Sequence, residues 1–313
     1  MLAQLMAPEG APRHGLELEL DGFELHAERW SGGGQGHVLL LHGLGGNSVT
    51  WHGVAPELAR AARAEVLAVD LPGFGRSRTA GRSIDLGVFS RLLEAVLQTQ
   101  APAGTRWTIA GNSLGAVLAL ELACRRPELV ARVSAAAPAL PLLWGRNFRG
   151  TLALSSWVPA ALPWVGRRLV ARYMNKTGLP GVVDDPIRAL FGDPARLDAE
   201  LRERLLGVSG YRLGWVLEAA RAYEQATRSL GVALLRPGAA ARWISNARCP
   251  VQAICGERDP IFMGPAWERL ERARPDWHYV VLPGVGHVPQ LEAPREVTQC
   301  LVDFMAGRSA TAE

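Results

Sequence analysis

Lysine is all but missing from this chain: Lys176 is the only one in 313 residues, and the other basic residues are arginine. That reads as a compositional bias, and a net charge of only +4 gives no argument for a nucleic-acid partner. Cysteine is scarce too. Cys124, Cys249, Cys255 and Cys300 form no C-x-x-C pair and no His/Cys cluster at metal-ligand spacing, so buried, reduced thiols in a cytoplasmic protein are expected. No run reaches the roughly 18 to 20 uninterrupted apolar residues of a spanning helix. A secretory signal is not expected either, because the first basic residue is Arg13 and the short apolar patch Met1 to Ala7 is stopped by Pro8. There is no low-complexity tract and no internal repeat. What remains is a chain 48% apolar, long enough for one large core with an addition.

The pattern of apolar residues supplies the architecture. After a loose arm over residues 1–14, Leu16 to Leu20 alternates strictly, Asp21-Gly22 offers a hairpin turn, and Phe23 to Trp30 alternates again. Val38 to Leu41 is instead continuously apolar, as in a strand covered on both faces. From there the spacing predicts a helix from Trp51 to Ala64, a strand 66–69, a helix 84–98, a strand 107–110, a helix 114–126 and a strand 130–137. The alternation stops near Pro138 and returns at Pro250 to Gly256, with a helix 265–273, a strand 278–282 and a helix 294–305 completing it. The expected fold is α/β, a mostly parallel central sheet flanked by helices. Residues 1–138 and 245–313 would form the core, and 139–244 an inserted helical cap.

Gly111-Asn112-Ser113-Leu114-Gly115 lies between a short buried strand and a helix that runs to Pro127. A serine between two glycines at such a junction fits the nucleophile elbow, a turn too tight for larger neighbours. The following helix would aim backbone N–H groups at the serine. Serine needs a base to take its proton and a carboxylate to orient that base. Two loops after later strands hold candidates: Gly256-Glu257-Arg258-Asp259-Pro260 and Pro283-Gly284-Val285-Gly286-His287-Val288-Pro289. Asp259 is the candidate acid, with Glu257 two positions away as a rival, and His287 is the candidate base.

The order Ser113, Asp259, His287 and the segment His42-Gly43-Leu44-Gly45-Gly46 together resemble the α/β-hydrolase fold family across everything outside the cap. Asp70 to Ser77 resembles that family's Gly-rich turn. The resemblance implies an oxyanion hole formed by the N–H groups of Leu44 and Leu114. It also implies an acyl-enzyme on Ser113 with no cofactor, and a small, apolar acyl substrate such as a carboxylic ester. Asn112 beside the serine looks like carbon–carbon bond hydrolases, so diketone cleavage is an alternative. A ligand-binding or signalling protein with little turnover is another.

The cap carries 15 basic and 8 acidic residues over 139–244, a net of +7, against 19 − 22 = −3 for the remainder. Gly150 to Gly166 has no charge and contains Trp157 and Trp164, with arginines on both sides. The expectation is that this stretch covers the pocket and that Trp157 and Trp164 meet substrate. Peripheral contact of the cap with anionic lipid is the less favoured reading.

Overall fold

The computed structural model describes residues 13–140, 163–236, 238–262 and 264–308. Strands β1 (Arg13–Leu20) and β2 (Phe23–Ser31) form the expected hairpin. Both turn residues, Asp21 at φ 52° and Gly22 at φ 74°, take the left-handed geometry that matches strand twist. Strands β3 (Gly36–Leu41), β4 (Ala64–Val69), β5 (Trp107–Asn112), β6 (Val130–Ala136), β7 (Val251–Gly256) and β8 (His278–Leu282) follow. The eight strands lie in one sheet in the order β1-β2-β4-β3-β5-β6-β7-β8. β2 is antiparallel to both neighbours, and all pairings from β4 to β8 are parallel.

The continuous apolar strands divide their side chains between two layers, because successive residues point to opposite faces. Leu39, Leu41, Leu67, Val69 and Ile109 face one buried cluster. Val38, Leu40, Val66, Ala68 and Ala110 face the other. Helices α2 (Leu86–Thr99) and α3 (Leu114–Arg125) cover the first face, while α1 (Ala55–Ala62) and the last helix cover the second. Each fully buried Leu or Val adds about 1.5–3 kcal/mol relative to exposure. The helix predicted from Trp51 to Ala64 is shorter than expected. A 3₁₀ turn over Ser48–Trp51 precedes α1, and Arg63 at φ 50° ends it, so Ala64 already belongs to β4.

Between β6 and β7 the described residues are helical: α4 (Pro163–Leu190), α5 (Ala199–Leu213), α6 (Val216–Leu235) and α7 (Ala239–Asn246). α4 is interrupted at Gly178, which leaves helical geometry at φ 63°. Helix α6 is fastened to the core by its polar face. Glu218 takes the Thr79 N–H at 2.7 Å and the Arg78 guanidinium at 2.7 Å, and Gln225 and Ser229 take the N–H groups of Ile84 and Leu86. A smaller apolar cluster joins Val183, Ile187, Phe191, Leu201 and Leu205 to Val49 and Leu291 of the core. Helices α8 (Pro265–Ala273), α9 (Pro289–Glu292) and α10 (Pro294–Met305) complete the chain. Among the described residues no helix is long and apolar enough to cross a membrane.

Candidate active site

Ser113 is the single residue between β5 and α3, and its backbone sits at φ 52°, ψ −110°. A non-glycine residue there carries strain of about 1–3 kcal/mol, which the surroundings must enforce. They do so through the flanking glycines. A Cβ on Gly111 would lie 2.3 Å from the Gly115 carbonyl, and one on Gly115 would lie 2.4 Å from the Leu41 oxygen. No larger residue fits at either position. The Ser113 N–H is held by the Ala136 carbonyl at 2.9 Å, and the side chain remains partly accessible.

Asp259 and His287 come together at the tops of β7 and β8. Both are buried, and His287 Nδ1 lies 2.9 Å from Asp259 Oδ2. The other carboxylate oxygen accepts the N–H groups of Ile261 at 2.7 Å and Phe262 at 3.0 Å. Burial opposes charge on Asp259, but the His287 ring and those two N–H groups outweigh it and hold its carboxyl below the usual aspartate range. His287 must therefore carry its proton on Nδ1, which leaves Nε2 as the basic nitrogen. No hydrogen bond joins Ser113 Oγ to His287 among the described residues; such contacts are commonly long until substrate binds. Glu257, the rival acid, is exposed and accepts the Gly284 N–H at 2.8 Å instead.

The backbone of the imidazole is fixed as firmly as its ring. The His287 N–H donates to the Leu190 carbonyl at 2.7 Å, and its carbonyl accepts from Asn112 Nδ2 at 3.0 Å. Asn112 also donates to the Ala136 carbonyl at 3.3 Å. Its amide is thus a brace between the serine and histidine loops. Glu292 does comparable work from the far side and was not singled out in the sequence. One carboxylate oxygen accepts the Gly286 N–H at 2.9 Å and the other the Gly192 N–H at 2.8 Å. Burial nevertheless pushes its carboxyl above the usual glutamate range. The available signal was an acid inside the otherwise uncharged, wholly buried run Pro289 to Ala293.

The loop after β3 runs beside the serine: a Cβ on Gly43 would lie 3.3 Å from Ser113 Cβ. His42 does not face the reaction. Its Nδ1–H donates to the Gly43 carbonyl at 2.7 Å, Nε2 accepts the Leu71 N–H at 3.0 Å, and burial lowers its pKa. The N–H groups of Leu44 and Leu114 have no protein acceptor among the described residues. Leu114 opens α3, where the first N–H groups lack helical partners by geometry. Trp164 is 58% exposed on α4, with the Arg168 guanidinium 5.9 Å from its ring centre. Trp157 lies outside the described residues. Among the described residues no cluster of three or more His, Cys, Asp or Glu side chains could hold a metal.

The model of the family described as alpha/beta hydrolase fold matches residues 36–294. The chain belongs to the alpha/beta hydrolase family. Relatives within it carry different activities in their names. The chain is 28% identical to a pimeloyl-(acyl-carrier protein) methyl ester esterase of Yersinia enterocolitica, over 87% of this chain and 94% of that one. It is 30% identical to a dihydrolipoyllysine-residue acetyltransferase component of an acetoin cleaving system from Pseudomonas putida, over 87% of this chain but only 65% of that protein. A thermophilic esterase from Thermogutta terrifontis shares the hydrolase fold with a TM-score of 0.69 at 21% identity, covering 95% of this chain and all of that one. Membership of this family places the protein among hydrolase enzymes.

Proposed function

We propose that the protein is a serine hydrolase that cleaves a carboxylic ester through an acyl-enzyme on Ser113. One observation carries the reading: the Nδ1 of His287 is held by buried Asp259 while its backbone is braced to Asn112, the residue before the strained serine. His287 Nε2 takes the Ser113 proton as Oγ bonds to the ester carbonyl carbon. The N–H groups of Leu44 and Leu114 receive the resulting oxyanion. Collapse breaks the bond to the alkoxy group, which leaves with the proton returned by His287. Water then repeats the sequence on the acyl-enzyme and releases the acid. Asp259 keeps the ring oriented and stabilises its positive charge without itself becoming protonated.

The relatives named as esterases support ester over diketone cleavage. Asn112, which suggested the latter, has its amide engaged with two backbone carbonyls. The division into a core of 1–138 and 245–313 and a substrate-covering cap of 139–244 belongs to the same proposal. So does a cytoplasmic location, supported by the four free thiols. Aryl esters of increasing chain length are the test, with a fluorophosphonate probe alongside. Ser113→Ala should lower kcat by about 10⁶ if the three residues act as a unit. The probe should label Ser113 alone. Esterase activity retained in the alanine variant would remove the assignment.

A further inference from the structure

Large apolar side chains are exposed very unevenly. Of the nine such residues among those described, seven lie on α4 to α6, Trp215 lies in the turn between α5 and α6, and Val281 lies elsewhere. Leu217 is 71% and Trp164 58% exposed, and Leu169 and Tyr173 join them on the outside of α4. Between these residues α4 places Arg167, Arg168, Arg172 and Lys176, all exposed, and from Pro163 to Val183 the chain has no acidic residue. None of the four cations pairs with a carboxylate among the described residues. With Arg221 of α6 they line a cavity of about 900 Å³ between the two helices and the loop at Thr79. Its one acid, Glu218, is already engaged by Arg78 and Thr79.

Five cations around one cavity repel one another, and the carboxylates near them are too few to balance them: Glu218 is engaged by Arg78, and Glu224 is shared among Arg167, Arg221 and Arg228. An occupant must therefore be anionic. It must also be apolar beside its charges, because Trp164 and Leu217 stand next to the arginines. A soluble phosphate would satisfy the cavity and leave those side chains in water, and an acidic protein surface would set them against charge. A bilayer matches both, with phosphates at the depth of the arginines and acyl chains just beneath. We infer that the face formed by the first half of α4 and the start of α6 docks on an anionic lipid bilayer, with headgroup phosphates in the cationic cavity and Trp164 and Leu217 at the acyl boundary. Sequence pattern alone favoured a pocket-facing Trp164; its exposure on the structure points outward.

The test uses the full chain and vesicles of phosphatidylcholine, with and without one part in three of phosphatidylglycerol, in a sedimentation assay at two salt concentrations. Wild type should bind the anionic vesicles, more weakly at high salt. Arg168→Ala with Arg172→Ala should weaken binding by about 25-fold, about fivefold per cation. Trp164→Ser with Leu217→Ser should weaken it comparably, and Arg125→Ala, on core helix α3, should leave it unchanged. Circular dichroism confirms that each variant is folded. Absence of wild-type binding to anionic vesicles overturns the inference. So does binding that survives the Trp164 and Leu217 changes in full, which would indicate counter-ion attraction alone. Retention on polyglutamate without vesicle binding would assign the face to an acidic protein and equally overturn it.

Discussion

The side-chain amide of Asn112 donates to the backbone carbonyl of His287 at 3.0 Å, across 175 positions of sequence. The serine loop and the histidine loop are therefore fixed to each other by a residue that takes no part in proton transfer. The same amide reaches the Ala136 carbonyl, so one side chain connects the ends of β5 and β6 with the loop after β8.

Asn112→Ala leaves both carbonyls without this donor and lets the histidine loop drift. We expect kcat to fall by about tenfold to a hundredfold, because small misplacement of a reacting group is costly. Thermal unfolding should report a loss of about 1–3 kcal/mol. Unchanged kcat at a temperature where the variant is fully folded would show that the brace does not position the base.

Asp259→Asn keeps the size of the side chain but removes the charge that selects the His287 tautomer. A fall in kcat of about 10⁴ is expected, following the triad template. Glu257→Gln should cost little, since that carboxylate is exposed and accepts the Gly284 N–H away from the imidazole. Steady-state kinetics of the two variants, measured together, decide which acid orients the ring; the reverse order of severity would point to Glu257.

A base must be neutral to accept a proton, so kcat/KM should rise with pH through one ionisation, that of His287. Asp259 and His42 are not expected to add a limb in the neutral range, since Asp259 is held below its ordinary 3.8 and burial lowers the pKa of His42. The sign for stability follows from the same depression. Asp259 contributes fully above its ordinary value, and the contribution is lost as pH falls through the lower folded value. Acid denaturation midpoints of wild type and Asp259→Asn should differ accordingly. A kcat/KM profile flat from mildly acid to neutral pH would argue against His287.

Glu292→Gln turns one of two acceptors into a donor that faces an N–H. The histidine loop and the chain at Gly192 then lose one of their shared anchors. We expect kcat to drop by about tenfold or more with KM nearly unchanged. Gly192→Ala attacks the same junction from the other side, since its Cβ would lie 2.4 Å from the Gly284 oxygen. Kinetics on the two single variants and the double should be non-additive; simple additivity would mean the two positions act separately.

Gly115→Ala is the stability prediction. Its Cβ would lie 2.4 Å from the Leu41 oxygen and 2.8 Å from the His42 oxygen, both backbone atoms that cannot yield cheaply. A loss above about 3 kcal/mol in denaturant unfolding, or failure to fold, is expected. A stable variant would show that β3 and α3 approach less closely than this.

Local pattern determined a good deal of this protein. The glycines around Ser113 mark a tight strand-to-helix turn because the restriction acts within five residues. Continuous apolar runs such as Val38 to Leu41 announce strands buried on both faces because side-chain alternation is itself local. The loops holding Asp259 and His287 were visible for the same reason, as turns after such strands. Sequence favoured Asp259 but left Glu257 as a rival. Two positions in one loop differ only in where the fold aims them, and the strands carried one carboxylate to the imidazole and the other to Gly284. Nor could it find Asn112 and Glu292 as braces, because their partners lie 175 and 100 positions away. The exposure of Trp164 was likewise left to tertiary packing: an uncharged stretch looks the same whether it covers a pocket or faces out, and the surroundings of Trp164 leave it 58% exposed.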